Sequence, residues 1–157
     1  MKPNLGLSDK NRKGSVEVLS RMLADEYVLY TKLRNYHWNV TGSDFSELHK
    51  LFESQYEEVD EIIDDTAERA RSLGGNALGT LKEFLQQTGL KEAPGDYPAA
   101  KVMIKNLLLD HEALIRSLRD GLAVCADKYQ DMGTSDFITG VMEQHEKMAW
   151  MLRAYLE

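Results

Sequence analysis

The sequence lacks most of the features that mark secreted, membrane or disulfide-linked proteins. Among its 157 residues there is one cysteine, Cys125, so no intrachain disulfide can form, and we expect this thiol to be buried and inert. The chain has only three prolines, so long segments contain no residue that would break a helix. No apolar run approaches the ~20 residues of a membrane span, and the N-terminus has no signal-peptide core. We therefore expect a cytoplasmic protein without a membrane partner.

Positive charge is also scarce. Asp and Glu number 26 against 19 Lys and Arg, which gives a formal net charge of −7. This balance argues against a nucleic-acid-binding body and suits a surface or cavity that attracts cations. The length fits one domain, and 43% hydrophobic residues are enough to form a core. We expect a single domain over residues 1–157 with a short N-terminal tail at 1–7.

Helical periodicity is the dominant pattern in the chain, and no alternating strand pattern, repeat or low-complexity segment interrupts it. Apolar spacing and capping residues predict four long helices. Their expected bounds are Ser8 or Asp9 to about Trp38, Ser43 or Asp44 to Leu73, Pro98 to about Tyr129, and about Thr134 to the C-terminus. A short helix at about 80–87 should interrupt the long connection between the second and third. The fold class is therefore all-α, a four-helix bundle.

One face of the second helix carries a row of potential metal ligands, spaced by three or four residues: His49, Glu53, Glu57, Asp60, Asp64 and Glu68. Most such rows are solvated acidic surfaces. However, His37 ends the first helix and His49 lies early in the second, so two imidazoles bracket the turn. Imidazole with carboxylate suits iron, zinc or manganese. These residues alone leave both interpretations open.

Distances along the second helix decide where a metal site could form. At about 1.5 Å per residue, His49 lies about 22 Å from Asp64, so one molecule cannot gather both around one ion. A second, antiparallel copy of the helix would bring its own Asp64 and Glu68 to the first copy's His37, His49 and Glu53. The Glu-x-x-His pairs of di-iron bundles with sites inside one chain are absent. The spacing therefore predicts a site between two-fold-related subunits, two per dimer.

The segments around these residues resemble the Dps proteins, the mini-ferritins of bacteria and archaea. The matching segments extend over nearly the whole chain: the run His37 to Gly42, His49 twelve positions after His37, Asp64-x-x-x-Glu68-Arg69, Gly74-Gly75, Leu78-Gly79-Thr80, and the run His145 to Arg153. The resemblance implies a ferritin-like four-helix bundle with a short extra helix between the second and third helices. It also implies a homo-oligomer, a hollow dodecamer assembled through two-fold dimers.

The same resemblance implies a function. Dps proteins bind Fe(II) between two-fold-related subunits, oxidise it preferentially with hydrogen peroxide and store ferric oxide, which protects DNA during oxidative stress. By position, His37, His49 and Glu53 would ligate iron from one subunit, and Asp64 and Glu68 from the other. Many members have Asp where this chain has Glu53. The implied activity is a ferroxidase whose metal is iron, with no other cofactor.

Further residues have more than one interpretation. Trp38, next to His37, could quench a radical or relay an electron, or it could pack in an interface. Three acidic residues between the third and fourth helices resemble the lining of the family's three-fold pores, but they are equally ordinary capping or solvated residues: Asp127, Asp131 and Asp136. His111 and His145 fall on apolar stripes, so we expect core or interface histidines there rather than ligands.

A different class of function is DNA compaction by a nucleoid protein. Some Dps members bind DNA through basic tails, and residues 1–14 carry four positive charges against one negative: Lys2, Lys10, Arg12 and Lys13 against Asp9. If the first helix starts near Ser8, only Lys2 lies in a free tail. An oligomer could multiply a weak, non-specific DNA contact, but an acidic body would oppose it. A metal-free structural oligomer is a third possibility on the same fold.

Overall fold

The computed structural model describes residues 3–157, which form helices joined by loops. Their bounds are α1 Asp9–Asn39, α2 Phe45–Ser72, α3 Leu81–Gln87, α4 Ala100–Ala123, a π-helical segment Val124–Lys128, and α5 Met132–Ala154. α1 packs mainly against α2, α4 packs against α5, and the two pairs meet through α1 and α4. No strand occurs within residues 3–157. The expected all-α four-helix bundle with a short extra helix is confirmed.

Capping residues explain where most helices begin. The Ser8 hydroxyl accepts a hydrogen bond from the Asn11 N–H and so satisfies one of the free donors of the first turn of α1. Thr80 and Glu83 form a reciprocal capping box at α3, in which each side chain accepts from the backbone N–H of the other. These two starts agree with the sequence expectation to within one residue.

The third and fourth long helices differ from expectation at both of their ends, and α5 ends at Ala154 rather than at the C-terminus. Pro98 does not open α4, which begins at Ala100 after an extended Ala99 cap. The α-helix then ends at Ala123, and the π-helical segment Val124–Lys128 follows it. α5 begins at Met132 rather than near Thr134, because the Asp131 side chain caps it by accepting from the Thr134 N–H.

The main core is an apolar cluster to which α1, α2, α4 and α5 all contribute, and a smaller cluster joins Leu23 and Ala24 of α1 to Phe84 of α3. The largest fully buried side chains of the main core include Leu19, Leu29, Leu33, Phe52, Leu107, Leu114, Ile138 and Met148. Gly14, an unusual residue for a helix interior, lies against Tyr129, and a Cβ atom there would overlap the tyrosine ring. Cys125 is fully buried, and burial raises the pKa of its thiol to about 11, as expected for an inert cysteine.

Two histidines and a glutamate form a polar cluster inside this core. His145 Nε2 lies 2.9 Å from Glu26 Oε1, and His145 Nδ1 lies 2.9 Å from His111 Nδ1. All three side chains are fully buried. Burial, followed by the neighbouring His145, lowers the pKa of His111 well below its ordinary value. The expectation that both histidines are core residues is confirmed, whereas their partner Glu26 was not predicted.

Candidate metal site

The turn between α1 and α2 places two histidines face to face. His37 lies near the end of α1 and His49 near the start of α2, and Gly42 between them has φ +118°, a conformation that favours glycine. The two rings stack with centroids 3.7 Å apart and planes inclined by 21°. Each Nδ1 lies 2.8 Å from the backbone carbonyl oxygen of the other histidine. The pair is therefore locked by two reciprocal hydrogen bonds.

These hydrogen bonds fix which ring nitrogen can bind a metal. A carbonyl oxygen only accepts, so the Nδ1 of each histidine must carry the hydrogen, and in the neutral ring the lone pair is on Nε2. Metal-binding histidines commonly donate their second N–H to a carbonyl in this way, which orients the ring and makes the other nitrogen a better ligand. His37 and His49 thus have the tautomer that a shared metal site requires.

Glu53 lies one turn beyond His49 on α2 and is held by a tyrosine. The Tyr56 hydroxyl donates to Glu53 Oε1 over 3.3 Å. The rings of Tyr56 and His37 form a T-shaped pair with centroids 5.3 Å apart and an interplanar angle of 81°. Partial burial and then the Glu53 charge raise the pKa of the Tyr56 phenol, so it stays protonated at neutral pH. Tyr56 therefore contacts two of the proposed ligands.

Arg34 completes the surroundings of the histidine pair, one turn before His37. Its guanidinium carbon lies 4.6 Å from the Tyr56 ring centroid, 5.4 Å from that of Tyr30 and 5.3 Å from that of Trp38. Trp38 itself is 64% exposed. Neither Arg34 nor Tyr56 was identified from the sequence. Their spacing of three residues from His37 and from Glu53 is the signal that could have found them.

The remaining two proposed ligands are not part of this group in one chain. Asp64 and Glu68 are exposed on α2, four and five helical turns beyond His49. Within residues 3–157, no three His, Cys, Asp or Glu side chains converge closely enough to hold a metal ion. One chain thus brings His37 and His49 together beside Glu53 and leaves Asp64 and Glu68 free to face another molecule. That these five residues form one site between subunits stays a prediction.

The three acidic pore candidates differ sharply in environment. Asp127 and Asp136 are exposed and remain candidates for lining a channel. Asp131 is 3% exposed, accepts from the backbone N–H and hydroxyl of Thr134 and pairs with Arg69 at 3.4 Å. The pore interpretation of Asp131 is therefore wrong, because a carboxylate enclosed by its own cap and ion pair cannot face a channel. The capping alternative is the correct one.

The basic N-terminal segment is partly used in the fold. Lys2 lies outside the described residues. Arg12 is buried, and its guanidinium donates to the Leu73 carbonyl oxygen at 2.9 Å and pairs with Asp9. Lys10 and Lys13 are exposed at the start of α1. Arg12 thus ties α1 to the end of α2 and is not available to a DNA phosphate. None of the helices within residues 3–157 is both long and apolar enough to cross a bilayer.

Known proteins similar to this chain share its length and its fold. Residues 16–157 match the ferritin-like domain of the ferritin family. An uncharacterised low temperature-induced protein of Nostoc sp. is 50% identical over 154 residues, covering 98% of this chain and 86% of its own. DNA protection during starvation protein 2 of Bacillus anthracis is 39% identical over 145 residues, covering 92% of this chain and 97% of its own. A solved structure of a Dps protein of Vibrio cholerae O1 is described as a member of the ferritin-like diiron-carboxylate proteins. It matches this chain with a TM-score of 0.91 and 31% identity, and the match covers 100% of this chain and 98% of the Vibrio chain.

Proposed function

We propose, because this chain belongs to the Dps family of ferritin-like proteins, that it is a ferroxidase that oxidises Fe(II) between two of its own subunits. Iron is here the substrate and the stored cargo. Hydrogen peroxide is the preferred oxidant, and the ferric product accumulates as an oxide core inside a hollow dodecamer. Removing Fe(II) and peroxide together suppresses hydroxyl-radical formation, which would protect DNA in the cytoplasm.

The reciprocal hydrogen bonds of His37 and His49 are the observation that supports this proposal most strongly. The imidazoles of His37 and His49, both with Nδ1 bound to a carbonyl, keep their Nε2 lone pairs available as ligands, and Glu53 follows His49 by one turn of α2. Both rings thus have the tautomer in which Nε2 can bind a metal ion. Asp64 and Glu68 of a second copy would supply two further carboxylates from the exposed face of α2.

The mixed ligand set suits both the binding of Fe(II) and its oxidation. Carboxylate oxygens are hard ligands that stabilise Fe(III) over Fe(II), so they favour loss of an electron at this site. Only two imidazoles are present, which keeps Fe(II) binding weak and exchangeable. Two neighbouring Fe(II) ions give up one electron each, and one hydrogen peroxide takes both electrons and two protons to become two waters. Paired oxidation of this kind releases no hydroxyl radical.

Entry of Fe(II) and nucleation of the oxide depend on the acidic surface. The net charge of −7 per chain attracts cations, and assembly multiplies that field at any symmetry axis. Asp127 and Asp136, both exposed near the α4 to α5 junction, are the candidates for an entry path. We propose that Fe(II) passes them before it reaches the subunit interface.

The direct test is anaerobic loading of the purified protein with Fe(II), followed by hydrogen peroxide. Near-ultraviolet absorbance would follow Fe(III) formation, and light scattering would follow particle size. The proposal expects rapid, protein-dependent Fe(III) formation in a soluble particle much larger than a dimer. Oxidation no faster than in buffer, or ferric precipitate outside the protein, would show that the histidine and carboxylate residues do not form a ferroxidase site.

A further inference from the structure

Arg34 is a positively charged side chain close to the histidine pair, and no acidic side chain of the same chain balances its charge. It lies on α1 one turn before His37 and is half-buried. Within residues 3–157 it makes no ion pair, and its one hydrogen bond runs from Nη1 to the Tyr30 hydroxyl oxygen at 2.8 Å. A guanidinium has five N–H donors, so most of them remain available to a ligand.

Three aromatic rings hold the guanidinium of Arg34 in place. Its carbon lies 4.6 Å from the ring centroid of Tyr56, 5.3 Å from that of Trp38 and 5.4 Å from that of Tyr30, within the range of cation–π contacts. The Tyr56 ring also forms a T-shaped pair with His37, with centroids 5.3 Å apart. One ring therefore contacts both the guanidinium and a proposed iron ligand, so Arg34 borders the proposed site.

A positive charge in this position opposes the binding of Fe(II), because like charges repel. An uncharged or acidic side chain at position 34 would favour the metal ion. The guanidinium instead favours an anion that arrives at the iron or forms beside it. In the proposed reaction such an anion does form, since both oxygen atoms of hydrogen peroxide gain negative charge as the O–O bond breaks.

We propose that Arg34 binds hydrogen peroxide beside the two iron ions and stabilises the negative charge that develops on its oxygen atoms. This inference rests on the proposed ferroxidase function. Two Fe(II) ions give up one electron each, the O–O bond breaks, and the two hydroxide ions that form take up protons from the solvent. A guanidinium keeps its own protons in proteins, so Arg34 acts through charge and hydrogen bonds. Its planar fork can donate two parallel N–H bonds to the two oxygen atoms.

Two other roles of Arg34 make different predictions. If Arg34 only tied α1 to α2 through Tyr56, its removal would disturb His37 and weaken metal binding. If it paired with a carboxylate of a second copy of the chain, its removal would weaken the dimer. Peroxide binding predicts neither result, because removing a positive charge should leave metal binding unchanged or make it tighter.

The experiment uses the assembled full-length protein and three variants. Arg34→Gln removes the charge, and Arg34→Lys keeps the charge without the fork. Arg21→Gln is the matched control, because Arg21 is exposed on the same helix far from His37 and its substitution removes the same charge. Stopped-flow absorbance records Fe(III) formation against hydrogen peroxide concentration. Co(II) titration measures metal binding, and azide added to the Co(II)-loaded protein measures binding of a small anion without turnover.

In R34Q the second-order rate constant for peroxide should fall roughly 10- to 100-fold, the loss expected for a hydrogen bond to a charged group. Azide should bind more weakly to R34Q, while Co(II) should bind at least as tightly as to the wild type. R34K should lie between R34Q and the wild type, and R21Q should match the wild type.

An unchanged rate constant or an unchanged azide affinity in R34Q would overturn the inference and leave the ferroxidase intact. A slower reaction accompanied by weaker Co(II) binding would also overturn it and would assign Arg34 to holding the helices together. Dissociation of the R34Q oligomer would overturn it in favour of a contact between subunits. No iron oxidation by the wild type would overturn both proposals.

Discussion

His37 and His49 hold each other in place: each Nδ1 lies 2.8 Å from the carbonyl oxygen of the other residue. The contact joins the end of α1 to the start of α2, so it supports the turn. It also presents both Nε2 atoms as possible ligands. One side chain at each position therefore serves stability and metal binding through different nitrogens, and substitutions can separate the two roles.

Replacing His49 with Asn should separate them. The Asn side-chain amide can occupy the place of Nδ1 and donate to the His37 carbonyl oxygen, but it has nothing at the position of Nε2. We expect His49→Asn to retain assembly and thermal stability and to lose peroxide-driven Fe(II) oxidation. His49→Ala loses the hydrogen bond as well and should also be less stable by about 1 kcal/mol. Stopped-flow absorbance and thermal unfolding measure the two effects. Wild-type oxidation by H49N would exclude His49 as a ligand.

Asp131 and Asp136 lie five residues apart and should respond differently to substitution. Burial opposes ionisation of Asp131, but the hydrogen bonds from Thr134 and the nearby Ser15 and Arg69 outweigh burial and lower its pKa. Asp131→Ala should cost about 1–2 kcal/mol of stability, because it removes a helix cap. Asp136→Ala should leave stability nearly unchanged and slow the uptake of Fe(II). The midpoint of thermal unfolding and the rate of Fe(III) formation are the measurements, and slower uptake at unchanged stability in D131A would contradict this assignment.

The buried cluster of His111, His145 and Glu26 should make stability depend on pH. The folded pKa of His111 lies well below 6.5, so below about pH 6.5 the unfolded chain binds a proton that the folded chain does not. The contribution of neutral His111 to the free energy of unfolding is therefore complete above that pH and is lost as the pH falls towards the folded pKa. The slope of the unfolding free energy against pH should approach about 1.4 kcal/mol per pH unit for this one group.

Thermal unfolding between pH 7.5 and pH 5 would measure that slope. His111→Gln has an amide that can donate to His145 Nδ1 but does not titrate, so it should flatten the dependence while leaving the bundle folded. All ionisable side chains other than that of residue 111 are common to both proteins. An equally steep dependence in H111Q would assign the acid sensitivity to other residues.

Arg12 and Lys10 provide a test of direct DNA binding. Arg12 is buried and donates to the Leu73 carbonyl oxygen, whereas Lys10 is exposed on the same helix. Arg12→Ala should cost about 1.5–3 kcal/mol of stability, because it leaves that buried carbonyl without a partner. It should not alter gel retardation of DNA at low ionic strength. Lys10→Ala should leave stability unchanged, and any DNA retardation should weaken only in this variant. Loss of retardation in R12A at unchanged stability would contradict the structural role of Arg12.

The sequence predicts the helices well because their signals are local. Apolar periodicity and the caps at Ser8 and Thr80 depend only on residues within a few positions. The predicted helix bounds are wrong near residues that make contacts with distant parts of the chain. The π-helical segment Val124–Lys128 adjoins Tyr129, whose ring packs on Gly14, and Asp131, the capping residue of α5, is also paired with Arg69 of α2. Neither contact can be read from local spacing.

In the candidate site, too, features that depend on local sequence could be predicted and features that depend on distant contacts could not. His37, His49 and Glu53 are recognisable as ligand types at helical spacing, and α1 and α2 bring the two histidines into contact as adjacent helices must. The tautomer of the two rings depends on hydrogen bonds across the turn, which no local pattern specifies. Glu26 was missed for a different reason, since it pairs with His145 across the bundle, 119 residues away in sequence.

The central claim is that each iron site takes ligands from two chains, and complementation between inactive variants tests it most directly. His49→Ala and Asp64→Ala chains carry defects on opposite sides of the proposed interface. Each variant alone should be inactive. When they are co-expressed with different tags and the mixture is purified, random pairing makes half of the dimers mixed, and each mixed dimer has one intact site of two. The account predicts recovery of about a quarter of wild-type Fe(II) oxidation. Mixed oligomers that contain both tags and recover no activity would contradict a shared site.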